Sequence, residues 1–360
     1  MKLNRPQREV KVNDGRDNRP LWLVAAVFVV IAASVEAASG QECAGCAVFA
    51  DLKAPVSTNE WSFTKQVNEV NVLFVVVHKG KFIGDLSQND ITVRDDEKAP
   101  AAMLGFRTER DLPLRVGLLV DTSSSLTPRF RFEKAAASAF LRQAVDSAGG
   151  DLGFVMGFSN DAKLMQDFTS NPDFLSQGVQ RLKVDGGTAM YDGVRTGCRK
   201  LLRHPEHDMV ARVLVVLSDG QNNAGTLNLD GAIEAAQQAE VTIYAVSTNY
   251  PTGPDGDLFA EEGNKNLRKL AEQTGGRVFF PYNPKEVAKA FSKIGEELRS
   301  RYAVSYRPAD FTQDGRYRKI KIEAHKTGEK LEIRARKGYF AKAADASLEA
   351  RVHGNELAGQ

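Results

Sequence analysis

Four nearly unbroken apolar runs, separated by stretches with helical spacing, constrain most sharply what this chain can fold into. They occupy residues 114–120, 152–158, 213–217 and 241–246. A strand with one wet face alternates polar and apolar residues. A strand that is apolar throughout is covered on both faces, as parallel strands are when helices flank the sheet. Helical patterns fall between and after these runs, near 128–148, 189–203, 230–240, 264–274 and 284–299. In the first, Phe132, Ala136, Ala139 and Phe140 share a face, and Thr127-Pro128 offers an N-cap followed by proline at the first helical position. Gly275-Gly276 stops the fourth, and 277–280 reads as a further strand. Alternation of this kind predicts an α/β unit, a doubly wound parallel sheet with right-handed crossovers.

The texture on either side is different. Val67, Val70, Val72, Phe74 and Val76 lie in a strand-rich run, 78–81 reads as a turn, and 90–95 alternates. After Arg299, residues 302–306, 317–324 and 331–336 alternate again, with a turn signal at Asp314-Gly315. Each flank is too short for a comfortable core of its own. The expectation is therefore one small β-sandwich built from both flanks, with the α/β unit inserted between its strands. The domain boundaries that follow are a leader at 1–38, a linker at 39–60, β segments at 61–112 and 298–340, the α/β domain at 113–297 and a tail at 341–360.

The leader has a basic stretch, thirteen apolar residues at 21–33, and a small-residue exit. That order describes a secretory signal peptide. Thirteen helical residues span about 20 Å, short of a ~30 Å hydrocarbon core. A cleaved signal is the leading reading and an uncleaved N-terminal anchor the alternative, so the protein is expected to be secreted, periplasmic or on the cell surface. Cys43 and Cys46 then suit a local disulfide, while Cys198 shares a helical face with Val194 and Leu201 and reads as a buried thiol. Of 48 Lys+Arg and 46 Asp+Glu, the leader holds six and four, so the remainder is neutral. No basic surface calls for nucleic acid, and a membrane enters only through the possible anchor.

The chemistry collects at strand ends. Asp121 closes the first apolar run and is followed by Ser123 and Ser125; Gly186-Gly187-Thr188 opens a helix; Ser218-Asp219-Gly220 closes the third run. Ligands of open parallel sheets bind beyond the carboxyl ends of the strands. Three hydroxyls and two carboxylates there suit a hard divalent cation. Neutral hydroxyls leave most of its charge uncompensated, so a further anionic ligand from a partner fits. Asp121-x-Ser123-x-Ser125, Thr188 and Asp219 together resemble the metal-ion-dependent adhesion site of von Willebrand factor A domains, and the flanks resemble secreted acidobacterial-type relatives of that family. The resemblance implies that Ser123, Ser125 and Thr188 contact the ion directly and that Asp121 and Asp219 act through water. It implies Mg2+, with Mn2+ or Ca2+ as alternatives, and a protein or matrix ligand presenting an acidic residue. Asn222, Asn223 and Asp192 lie beside these positions in sequence and are candidates for partner contact; Asp192, four positions past Thr188, is also read as orienting that loop or as a solvated first-turn carboxylate.

Other clusters read more plainly. Proline breaks the register of His204-Pro205-Glu206-His207-Asp208, which is expected to be a solvated loop. Asp255, Asp257, Glu261 and Glu262 lack the full calcium-loop pattern. Nucleophile-elbow, phosphate-loop, dinucleotide and His-Glu-x-x-His signatures do not occur. An exported binding module is thus expected rather than an enzyme. The alternatives are an assembly protein of the cell envelope with incidental metal and, third, a metal-dependent hydrolase.

Overall fold

The computed structural model describes residues 69–108, 112–124, 130–206, 209–249, 258–326 and 329–341. The expected leader, the Cys43–Cys46 pair, the Thr127-Pro128 cap and Ser125 lie outside them. The first flank supplies β1 (Val70–His78), β2 (Lys81–Phe82), β3 (Ile91–Asp95) and β4 (Ala102–Thr108). The central unit follows as β5 (Leu114–Asp121), α1 (Phe130–Ala144), β6 (Leu152–Phe158), β7 (Ala162–Thr169), α2 (Pro172–Arg181), α3 (Met190–Arg203), β8 (Ala211–Ser218), α4 (Leu229–Gln238), β9 (Val241–Ser247), α5 (Leu258–Gln273), β10 (Val278–Phe279) and α6 (Pro284–Leu298). The second flank adds β11 (Arg301–Arg307), β12 (Tyr317–Lys326), β13 (Glu329–Lys330), β14 (Glu332–Ala335) and β15 (Gly338–Phe340).

The central sheet runs β10-β9-β8-β5-β6-β7. All its pairings are parallel except β6 with β7. Every residue of β5 is buried, as a strand covered on both faces must be. Val116, Leu118 and Val120 point into one core with Phe140 and Phe291, whose rings stack at 5.0 Å. Leu119 points into the other, with Val194, Cys198, Ala236 and Leu270. Helices therefore cover both faces, and the apolar run is two alternating patterns superposed. Local signals set the helix starts. Asn171 and Asn283 each precede a proline and accept first-turn amides, at 2.8 Å from Asp173 and 3.0 Å from Lys285.

The two flanks share their sheets. β1 pairs antiparallel with β11, which pairs with β4, while β3 pairs with β12. Val72, Phe74, Val93, Tyr302, Val304, Tyr306 and Ile322 fill the space between the sheets. Asp95 is buried there and accepts hydroxyl hydrogen bonds from Tyr306 and Tyr339, both at 2.9 Å. The sandwich and the central unit are joined by a buried ion pair. Glu297 of α6 is fully enclosed and holds Arg334 of β14 through both oxygens, at 2.8 and 2.9 Å. Tyr244 donates to the same carboxylate at 3.1 Å, and Arg277 approaches to 3.3 Å. Among the described residues no helix is long and apolar enough to cross a membrane.

Candidate metal centre

Asp121 is the last residue of β5 and is completely buried. Its Oδ1 accepts the Ser123 amide at 2.9 Å, and its Oδ2 accepts the Ser218 hydroxyl at 2.8 Å. Ser218 ends β8, the neighbouring strand, and its Oγ also takes the Gly220 amide at 3.1 Å. Burial pushes the Asp121 carboxyl up, the Asp219 carboxylate pushes it further, and the hydrogen bonds from Ser123 and Ser218 only partly offset them; the result is about 6. The two carboxylates thus sense each other across one strand boundary.

The adjoining loops are fastened to one another. Thr122 donates through both its amide and its hydroxyl to the Phe158 carbonyl at 2.8 Å, and accepts the Asp185 amide at 2.7 Å. Ser123 is buried; Ser124 is exposed, with its hydroxyl on the Gly186 carbonyl at 3.1 Å. Thr188 is buried just ahead of α3. Asp219 is half-buried, with Oδ1 on the Gln221 amide at 2.9 Å and its carbonyl on Asn249 Nδ2 at 2.6 Å. Gly220 follows with φ +79°, and a Cβ there would lie 2.1 Å from the Gly263 carbonyl. Only glycine lets this loop lie against α5.

The structure thus brings Asp121, Ser123, Thr188 and Asp219 to one sheet edge. Asn222 and Asn223 are on that edge, but their oxygens point inward, accepting the amides of Tyr191 at 3.1 Å and Thr188 at 2.8 Å. Asp192 is likewise turned to main chain, accepting Thr226 and Leu227 amides at 2.8 and 3.2 Å. Burial raises the Asp192 carboxyl, but those two amides and Arg195 outweigh it and hold it below the usual range. Three asparagine and glutamine side chains went unread in the sequence: Asn160, Asn249 and Gln221. Asn160 follows β6, another strand carboxyl end, and that position was the available signal.

Elsewhere one expectation is corrected. His204 and Glu206 do not form a solvated loop. Glu206 is enclosed against Arg115 of β5, with contacts of 2.6 and 2.8 Å, and His204 Nδ1 lies 2.7 Å from the same carboxylate. Asp255 and Asp257 lie outside the described residues, and Glu261 and Glu262 are exposed on α5. Cys198 is fully buried, which drives its thiol far above the ordinary range.

The donor set fits a hard cation. A buried carboxylate, a second carboxylate beside it and neighbouring hydroxyls offer oxygen alone, and the mutual repulsion of the carboxylates is relieved by positive charge between them. Among the described residues no group of three or more His, Cys, Asp or Glu side chains converges, at this edge or elsewhere. Residues 116–293 match the model of the von Willebrand factor type A domain. That stretch of the chain belongs to this family. An uncharacterized protein of Synechocystis sp. is 23% identical over 197 residues, which cover 53% of this chain and 43% of that relative. This chain therefore matches less than half the length of that curated relative. Among solved structures, a von Willebrand factor type A protein from Catenulispora acidiphila is 14% identical and covers 73% of this chain and 76% of its own, with a TM-score of 0.43. The corresponding domain of the type V pili tip protein Mfa5 from Porphyromonas gingivalis is 15% identical over 51% of this chain and 94% of its own, with a TM-score of 0.41. Proximal thread matrix protein 1 from the mussel byssus, solved with zinc in its adhesion-site motif, is 18% identical over 56% of this chain and 49% of its own, with a TM-score of 0.44.

Proposed function

We propose that the von Willebrand factor type A domain of this chain binds a divalent cation through Asp121, Ser123, Ser125, Thr188 and Asp219. Its function is then adhesive: a carboxylate from a protein or matrix partner completes the coordination shell. The observation that carries this reading is Asp121, a fully buried carboxylate whose proton affinity is raised by burial and by the neighbouring Asp219 carboxylate. Such a pair costs stability unless a cation sits between them. Oxygen donors and neutral hydroxyls favour Mg2+, with Mn2+ and Ca2+ as alternatives. A bound ion would supply a contact for the partner carboxylate; selectivity would come from the surrounding loops, because a single carboxylate contact specifies little. The proposed setting is outside the cytoplasm, secreted, periplasmic or on the cell surface, and the proposed role is binding rather than catalysis. Titration calorimetry with Mn2+ tests it. Wild-type chain is expected to bind one ion and Asp121→Ala none, with both folded; equal binding by the two refutes the assignment.

A second reading has its own support. The buried Glu297–Arg334 pair ties domain to sandwich, which suits a docking unit in an envelope assembly. Chelation separates the two, since partner capture that survives EDTA favours assembly over metal-dependent adhesion.

A further inference from the structure

Helix α3 begins without a cap of its own: Ala189 stands at its N-cap and no side chain there accepts a first-turn amide. The missing acceptors come from another loop. Asn223 Oδ1 takes the Thr188 amide at 2.8 Å and Asn222 Oδ1 takes the Tyr191 amide at 3.1 Å. The Thr188 carbonyl is held from the same side, by the Asn223 and Ala224 amides at 3.0 Å. The exchange is reciprocal. Asp192, in the first turn of α3, reaches back to the Thr226 and Leu227 amides at 2.8 and 3.2 Å. On the opposite side Asn160 Oδ1 accepts the Gly187 amide at 3.0 Å. The fit leaves no slack: a Cβ on Gly187 would lie 2.9 Å from Asn160 Oδ1 and 3.1 Å from Asn223 Oδ1, and one on Gly225 would lie 2.3 Å from Asp192 Oδ2.

We propose that Asn223, Asn222 and Asp192 are positioning residues that clasp the Thr188 loop to the Asp219 loop, and that they set metal affinity rather than touch the partner. The proposal rests on the metal reading given above. Thr188 and Asp219 come from loops 31 positions apart, and both must be held for one ion to meet them. A clasp made of main-chain amides and side-chain oxygens fixes both loops before any ion arrives, so binding does not have to order them. Asn223 is the central member, because it engages the Thr188 peptide on both sides, as acceptor from its amide and as donor to its carbonyl.

The test uses the full chain, Mn2+ as the probe and two readouts: Mn2+ affinity by calorimetry, and hydrogen exchange of the Thr188 and Tyr191 amides in EDTA. Asn223→Ala is expected to speed exchange at Thr188 and to weaken Mn2+ binding roughly tenfold, in the range usual for groups that orient a metal ligand. Asn223→Asp keeps the accepting oxygen and is expected to restore slow exchange and at least wild-type affinity, a rescue that a merely destabilised fold would not show. If Asn223→Ala does not fold, Asn222→Ala opens the Tyr191 end alone and gives the same comparison. Wild-type affinity and exchange in the alanine variant overturn the clasp, as does an aspartate variant as impaired as the alanine. A wild-type chain that takes up no Mn2+ overturns the metal reading, and the proposal with it. Mn2+ uptake unaffected by loss of the clasp overturns the proposal alone.

Discussion

Replacing Asp121 by asparagine is expected to stabilise the metal-free protein while abolishing its response to metal. Burial and the Asp219 carboxylate push the Asp121 carboxyl up to about 6, against an ordinary value of 3.8. A raised carboxyl penalises folding: nothing is lost well below pH 4, the penalty grows between about 4 and 6, and it is complete above 6. A rise of this size corresponds to about 3 kcal/mol at pH 7.5 and about 1 kcal/mol at pH 4.5. Asparagine removes this penalty. Its oxygen still accepts the Ser123 amide, but its Nδ2 now faces a Ser218 hydroxyl that already receives the Gly220 amide. That hydroxyl loses its acceptor, at a cost of about 1 kcal/mol. The net expectation for Asp121→Asn in EDTA is about 2 kcal/mol of added stability at pH 7.5 and near equality at pH 4.5. Urea melts of both proteins at the two pH values measure it, and a repeat with Mn2+ should shift the wild-type midpoint upward and leave the variant unmoved. An asparagine variant less stable than wild type in EDTA at pH 7.5 would refute the reasoning, because Asp121 would then be contributing to the fold rather than straining it. So would a stability difference that does not change with pH.

Three further perturbations probe the scaffold. Gly220→Ala forces a Cβ toward the Gly263 carbonyl at a positive φ; it should destabilise by about 2 kcal/mol or more and weaken Mn2+ binding, read by urea melts and calorimetry. Glu297→Gln leaves the Arg334 and Arg277 guanidinium groups without their buried counter-charge; a loss of about 3 kcal/mol is expected, with earlier proteolysis between sandwich and domain, and unchanged protease resistance would count against the joint. Leu118→Ala empties a fully buried position in the core beneath α1 and α6; chemical denaturation should show a loss of about 2–5 kcal/mol.

What the sequence disclosed depended on how local each signal was. The parallel strands announced themselves because burial on both faces leaves no polar alternation, and the candidate site was legible as a place because strand ends are where such sheets bind ligands. β7 and α2 went unread. No residue of β7 is fully buried, so at the sheet edge its pattern shows no period, and Asn171-Pro172 was a legible helix start that had no apolar run beside it. Glu206 was misjudged for an instructive reason. Arg115 interrupts an otherwise apolar strand and must find a counter-charge, yet the partner lies 91 positions away. The same distance argument hides Asn160, 27 residues from the amide it accepts, and Arg334, 37 from Glu297. Their roles exist only once loops have packed.

The insertion also decides which way the candidate site faces. β4 and β11 are paired neighbours, with Thr108 opposite Tyr302. The chain leaves the sandwich after β4 and returns after α6 at Leu298, so entry and exit of the domain lie side by side. β5 therefore starts at the sandwich with Leu114 and carries Asp121 seven residues along, about 23 Å away at the rise of a parallel strand. The other ties between the two parts fall on the near edge as well. Arg336 reaches the Gln237 carbonyl and the Glu240 carboxylate just ahead of β9, and Lys337 donates to the Gln273 carbonyl ahead of β10. Parallel strands all point the same way, so anchoring their amino ends to the sandwich presents every carboxyl end on the opposite side. Under the proposed reading, a partner carboxylate would approach the edge that holds Asp121, Thr188 and Asp219 without meeting the sandwich, and the flanks would serve as a pedestal rather than as a wall of the binding surface.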